Sequence, residues 1–394
     1  MSQGHLLVRS VSAHMVTPQW AARVVSPLHD VLTETERRKI LANNPDSYLH
    51  VTSDPLALIE PPGEGATESV QARALQRLLE SGAYLPVPEP AVFVYRMSDR
   101  GREHTGVIAS VAVAGCNDGR VLGHEAVQSE RVAGLVRHYG QVSKRSELVT
   151  LFHPVDSLVA ELTARIVAQP ALLDFTDSSG VTQSVWRAGP SEAAALARQL
   201  SNHRLYVADG HHRLAAATTC WERDGQPESG AVLCALYPQD HIALHAFHRR
   251  VRGPVALPAL LDGLGTRFDI APARDLGVGP GTIGMYADGR WCVLHPREPR
   301  RLPGVAGLDV TMLHEEVLLP LLGIDCDSPR LEFVPDLRDL GATMRECDAE
   351  QGIVFALHAP DIEELISVAE RHEVMSPKTT YVQPKPRTGI FLSS

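Results

Sequence analysis

Two hydrophobic patterns alternate along the chain. Short apolar runs bounded by Gly, Pro, Asn or Asp read as buried strands; apolar residues recurring every three or four positions read as amphipathic helices. The helical pattern predicts a helix opened by a Thr33–Glu36 capping box and running to about Ala42. It predicts a second over Glu68–Leu79, with Val70, Ala74, Leu75, Leu78 and Leu79 on one face and Ser81-Gly82 as its stop. Further helices are expected from near Glu125 to Tyr139, over Leu158–Ala168, over Ser191–Leu200 with Ser191 as N-cap, and over Leu308–Leu322 and Asp361–Glu370. The strand pattern covers Ser47–Val51, Ala91–Tyr95, Thr105–Ala114, Gln183–Arg187, Ala231–Leu236, Ile242–Val251 and Gly352–Leu357. Arg100-Gly101 and Asn117-Asp118-Gly119 are expected as hairpin turns, and Pro61–Gly65 as a loop. Such a mixture of elements predicts an α/β (α+β) fold.

One junction stands out. Leu205-Tyr206-Val207-Ala208 is a buried-strand run ending at Asp209-Gly210, and an Ala-rich helical run follows from Leu214 to Trp221, closed by Asp224-Gly225. Between them lie His211, His212 and Arg213. A helix start offers unpaired N–H groups and positive partial charge, hence an affinity for anions. Arg213 adds a planar fork suited to phosphate or carboxylate. Asp209 has three candidate uses, as helix cap, as partner of a histidine, or as ligand to a metal ion.

Composition narrows the classes. The 394 residues suffice for two or three domains, and 44% hydrophobic with 21% charged residues is ordinary for a soluble globular protein. A net charge of −10 argues against a general nucleic-acid binder, though not against a local basic pocket. The six cysteines are scattered without a CxxC pair, as expected for reduced thiols in a cytoplasm. Met1–Trp20 lacks a signal-peptide layout and no run reaches a membrane span, so a cytoplasmic protein without membrane contact is expected. P-loop, Rossmann and GxSxG signatures are absent. His211, His212, His245 and His248 lack the spacing of a zinc site, so no resident metal is expected; an exchangeable Mg²⁺ arriving with a nucleotide is compatible. Glu125, placed in or just before the first turn of its helix, is a candidate base or a stabilising helix-start acid. The end of the chain, Met375–Gly389, is locally basic and stiffened by prolines, and is expected to dock near the central junction with Lys378, Lys385 and Arg387.

The run YVADGHHRLAAA resembles the signature of a large prokaryotic family of uncharacterised proteins. SPLHDVLTETE, NNPDSYLHV, HTGVIASVAV, VLGHEAV, LHAFHRRV and VMSPKTTYVQPKPRTG extend the resemblance over most of the chain. The core is also similar to the ParB and sulfiredoxin superfamily, and most closely to the archaeal free serine kinases, which pair a His-Glu with a downstream Asp-Gly-His-His-Arg. That resemblance implies a ParB/sulfiredoxin-like catalytic core at 91–252, flanked by N-terminal (1–90) and C-terminal (253–394) α/β regions. It implies phosphoryl transfer from a nucleotide (ADP or ATP) to a small hydroxy amino acid. Glu125 would be the base, Asp209 and His211 would serve the reacting groups, and Gly210, His212, Arg213, His124, His248, Arg249, Lys378 and Lys385 would hold nucleotide and phosphate. Two departures weaken the carry-over of the substrate pocket: Leu214-Ala215 stand where the family has an aromatic residue and an acid, and Ser26-Pro27-Leu28-His29-Asp30 replaces a two-proline, tyrosine opening. A nucleotide-binding switch and a phosphoester hydrolase remain as alternatives, and self-association stays open.

Overall fold

The computed structural model describes residues 6–28, 31–52, 69–142, 144–225, 230–274, 278–298, 302–337 and 339–393. The expected loop at Pro61–Gly65 and the expected helix start at Glu68 lie outside them, as do His29 and Asp30. The chain is a mixed α/β protein of two compact units. One comprises residues 1–123, 127–242 and 384–394, the other 124–126 and 243–383.

In the first unit nine strands form one sheet among the described residues. In spatial order they are Val121–Leu122, Leu205–Asp209, Val149–His153, Ala231–Pro238, Arg102–Ala112, Phe93–Asp99, Thr182–Arg187 and Leu173–Thr176, with Val8–Arg9 beside Arg102–Ala112. Two apolar clusters form around its strands. Val149, Leu151, Leu205, Val207 and Leu236 pack with Leu162, Leu196 and Leu214, whereas Phe93, Tyr95, Ile108 and Tyr237 pack with Leu75, Tyr84 and Phe391. This alternation of side chains within single strands is what a strand with both faces covered requires. The segment 384–393 belongs here: Arg387 Nε donates to Asp177 at 2.6 Å, Tyr84 Oη to the Gly389 carbonyl, and Phe391–Leu392 pairs with His14–Val16.

The second unit is an antiparallel sheet of seven strands among the described residues. Its order is Phe268–Ala273, Arg290–Pro296, Ile283–Ala287, Ile353–Leu357, Ala243–Val251 and Leu331–Pro335, with Thr380–Gln383 along the first half of Ala243–Val251. His248, Arg249 and Arg250 are all buried on the strand Ala243–Val251.

Several expectations hold. The Thr33–Glu36 capping box opens Glu34–Asn43, an Asp361–Glu364 box opens Ile362–Glu370, and Arg100-Gly101 is the tip of a hairpin with both residues at positive φ. Others need correction. Ser47–Val51 is no strand: the Ser47 hydroxyl accepts the Leu49 N–H and winds Tyr48–His50 into a 3₁₀ turn. Asn117–Gly119 is no hairpin turn, because a short helix (Ala114–Asn117) precedes it and Val121–Leu122 runs parallel to Leu205–Tyr206. Gly189, not Ser191, is the N-cap of Pro190–Ser201, with Pro190 in the first turn and Glu192 accepting the Gly189 N–H. The apolar run from 308 to 322 is helical but interrupted by a π turn at His314–Leu318.

Candidate functional site

The strand Leu205–Asp209 is held between Val121–Leu122 and Val149–His153, which delivers Asp209 to the sheet's end. Gly210 follows in the left-handed region (φ 101°), and the helix His211–Asp224 begins at once. Gly210 is required here for two reasons. Its φ disfavours any side chain, and a Cβ would meet the Arg213 guanidinium at 3.0 Å. The helix thus starts three residues earlier than the Ala-rich run suggested, so both histidines lie in its first turn. Asp209 is not its cap; Gly210 is, and no side chain caps the helix.

The Asp209 carboxylate instead lies between two cations. Arg213 Nη2 donates to one oxygen and Lys385 Nζ, 2.7 Å away, to the other. The Arg213, Asp209 and Lys385 side chains are only 14%, 18% and 9% exposed, so the cluster is largely shielded from water. Burial alone would push the Asp209 carboxyl up, but Lys385 and Arg213, with His211 nearby, outweigh it and hold the group well below the usual carboxylate range. Arg213 Nη1 also donates to the Leu148 carbonyl, which fixes the plane of the guanidinium. Asp209 thus gathers two cations at a helix start, where unpaired N–H groups and positive partial charge favour anions.

The histidines are fixed by different neighbours. The His211 ring is buried against Gly123, where a Cβ would stand 3.0 Å from its Cδ2. His212 Nε2 accepts the Gln128 N–H at 3.0 Å, so in the neutral ring Nδ1 carries the proton and is a donor. Gln128 is in turn the N-cap of the helix Ser129–Gln141.

The remaining candidates belong to the second unit. The Met375 N–H donates to the His124 carbonyl, and Glu125 forms a parallel bridge with Met375. His124 is buried and Glu125 half-buried. Glu125 precedes the N-cap Gln128 by three residues and so lies before, not in, the first turn of Ser129–Gln141. His248 Nδ1 accepts the Leu357 N–H, and its Nε2 faces Asp336 at 3.4 Å. Arg249 donates to the Phe247 and Pro377 carbonyls and lies over the Phe333 ring; burial lowers it to about 10. Lys378 is exposed, at positive φ, with its ammonium 5.5 Å from the Phe247 ring centre.

The expected docking of the basic end at the junction holds for Lys385; what sequence reasoning missed is the network that anchors it. Two residues on, Arg387 enters a buried network with Asp177, Ser179 and Tyr95. Burial pushes the Asp177 carboxyl up, and Arg387 pulls it below its ordinary value. The only sequence signal for this anchor was the unusual mixture of basic residues, prolines and apolar residues in one segment.

Residues 9–311 match the family model described as "Protein of unknown function (DUF1015)". No curated protein matches the chain. Among solved structures, it is similar to a mutant of free serine kinase in complex with ADP, at 12% identity and a TM-score of 0.37 over 70% of this chain and 87% of that one. It is also similar to SbnI with C-terminal truncation from Staphylococcus aureus, at 12% identity and a TM-score of 0.41 over 71% and 84% of the two chains. A conserved hypothetical protein from Pyrococcus furiosus is similar at 12% identity and a TM-score of 0.36 over 72% and 93%.

Proposed function

We propose that this chain, which belongs to the DUF1015 family, transfers a phosphoryl group from a nucleotide to the hydroxyl of a small metabolite, free serine or a related hydroxy amino acid. One observation carries the reading: a shielded carboxylate, Asp209, holds Arg213 and Lys385 in place at the start of the helix His211–Asp224. Phosphoryl transfer needs little covalent help from a protein and much positioning and charge stabilisation. Cations already fixed by a buried partner supply both without reorganising as charge shifts.

In this reading the first-turn N–H groups, His212 Nδ1–H, Arg213 and Lys385 receive the phosphates of ADP or ATP, with Mg²⁺ entering on the nucleotide. Asp209 keeps the cations aligned, and His211 serves the reacting groups beside it. Glu125 takes the proton of the substrate hydroxyl; that role, like those of His124, His248, Arg249 and Lys378 in nucleotide binding, is carried from the motif resemblance. The test is incubation of the full chain with labelled ATP or ADP, Mg²⁺ and a panel of hydroxy amino acids. A phosphorylated amino acid is expected. Release of phosphate alone would make the protein a phosphoester hydrolase, and tight nucleotide binding without turnover would make it a nucleotide-binding switch; either overturns the proposal.

A further inference from the structure

The second unit contains a cleft of about 490 Å³ that the reading above does not use. Asp309 lines it at the start of the helical run 309–322. Gly281, at φ 76°, turns its N–H onto both Asp309 oxygens, at 3.0 and 3.1 Å. Among the described residues Asp309 makes no ion pair. Glu364, from the helix Ile362–Glu370, brings a second carboxylate to the cleft and is itself held by the Asp361 N–H. His358 and His295 line it from beyond one strand and from within another, and both are exposed. No Lys or Arg lines the cleft among the described residues, while Met312 and Leu357 give it a buried apolar wall.

Asp309 is half-buried; a carboxylate partly withdrawn from water without a cation is disfavoured, and a ligand that supplies the cation offsets that. We propose that this cleft binds a small organic cation, an amine whose ammonium sits on Asp309 beside Glu364 and whose carbon chain lies along Met312 and Leu357. An organic ligand fits better than a metal ion. The group of three potential ligands that does converge among the described residues is His314, Asp325 and Cys326, none of which lines the cleft. The acidity of Asp309 agrees: burial, with Glu364 adding to it against the pull of His358, pushes its carboxyl up to about 6.

The proposal is independent of phosphoryl transfer and is tested without it. Calorimetric titration of the full chain at pH 7.5 uses putrescine, agmatine and ethanolamine, with 1,4-butanediol and succinate as uncharged and anionic counterparts. At least one amine is expected to bind and neither counterpart. Asp309→Asn keeps an acceptor for the Gly281 N–H and should weaken amine binding about tenfold or more, with the fold checked by circular dichroism. Lowering the pH to 5.5 should weaken binding to the wild type, because Asp309, which shares the cleft with Glu364, His295 and His358, gains its proton. Failure of all three amines to bind, equal binding of butanediol, or an Asp309→Asn protein that binds as well as wild type would each overturn it.

Discussion

Lys385 and Asp209 are 176 residues apart in sequence, yet the lysine ammonium lies 2.7 Å from the aspartate carboxylate. Arg213 occupies the other carboxylate oxygen, so Lys385 brings the second cation to this carboxylate. Lys385→Met keeps the packing of the side-chain stem and removes the charge. It should leave the Asp209–Arg213 pair intact, destabilise the protein by about 1–3 kcal/mol and weaken nucleotide binding at the same time. Urea unfolding read beside a nucleotide titration checks both, and a variant unchanged in each would remove Lys385 from the cluster's function.

Arg213 has a second duty, to the Leu148 carbonyl, so its loss costs both structure and binding. Arg213→Ala should weaken nucleotide affinity by roughly 1.5–3 kcal/mol, the range of a charge-assisted contact. Calorimetry on a variant shown to be folded is the measurement; unchanged affinity would place the phosphates elsewhere.

Glu125→Gln separates chemistry from binding. As the proposed base, Glu125 should contribute about 10²–10⁴-fold to turnover, while its amide replacement leaves nucleotide affinity nearly intact. Single-turnover transfer of labelled phosphate decides the matter, and full activity would reduce Glu125 to a structural acid.

Acid should act on Asp209 and Asp177 together. Against the effect of burial, Lys385 and Arg213 hold the first carboxyl below its ordinary value and Arg387 holds the second there. Groups with lowered folded-state values stabilise the protein fully above the unfolded carboxylate value of about 3.9, and that stability is lost as pH falls from there through the lower folded values. Thermal unfolding should therefore weaken steeply below about pH 4. Asp177→Asn should flatten that descent while lowering the melting temperature at pH 7. A variant with the wild-type acid profile would deny Asp177 its part.

Local features were legible from the sequence because their causes are local. Thr33 and Glu36 are three residues apart and cap each other; Leu205–Ala208 is an uninterrupted apolar run and forms a buried strand. Ser47–Val51 was misleading because its composition suits a strand while a single hydroxyl, on Ser47, fixes a turn. The cluster itself was half legible. Asp209 and Arg213 are one helical turn apart, but nothing local joins Lys385 to them, since the fold alone sets that distance. Glu125 stands before its helix rather than in it for a related reason: it bridges Met375, far away in sequence.

The segment 384–393 has a consequence for how the protein is made. Its strand and its Lys385 complete a unit whose other parts end at Ile242, with all of 243–383 in between. On the ribosome the Asp209 carboxylate is therefore synthesised, and its strand is able to pair, long before its lysine exists. Closing so long a loop is an entropic delay that local contacts cannot shorten. A nascent chain stalled anywhere in 243–383 would carry Asp209 and Arg213 but lack one of the cluster's two cations, so the finished cluster is a property of the translated whole rather than of the unit that houses it.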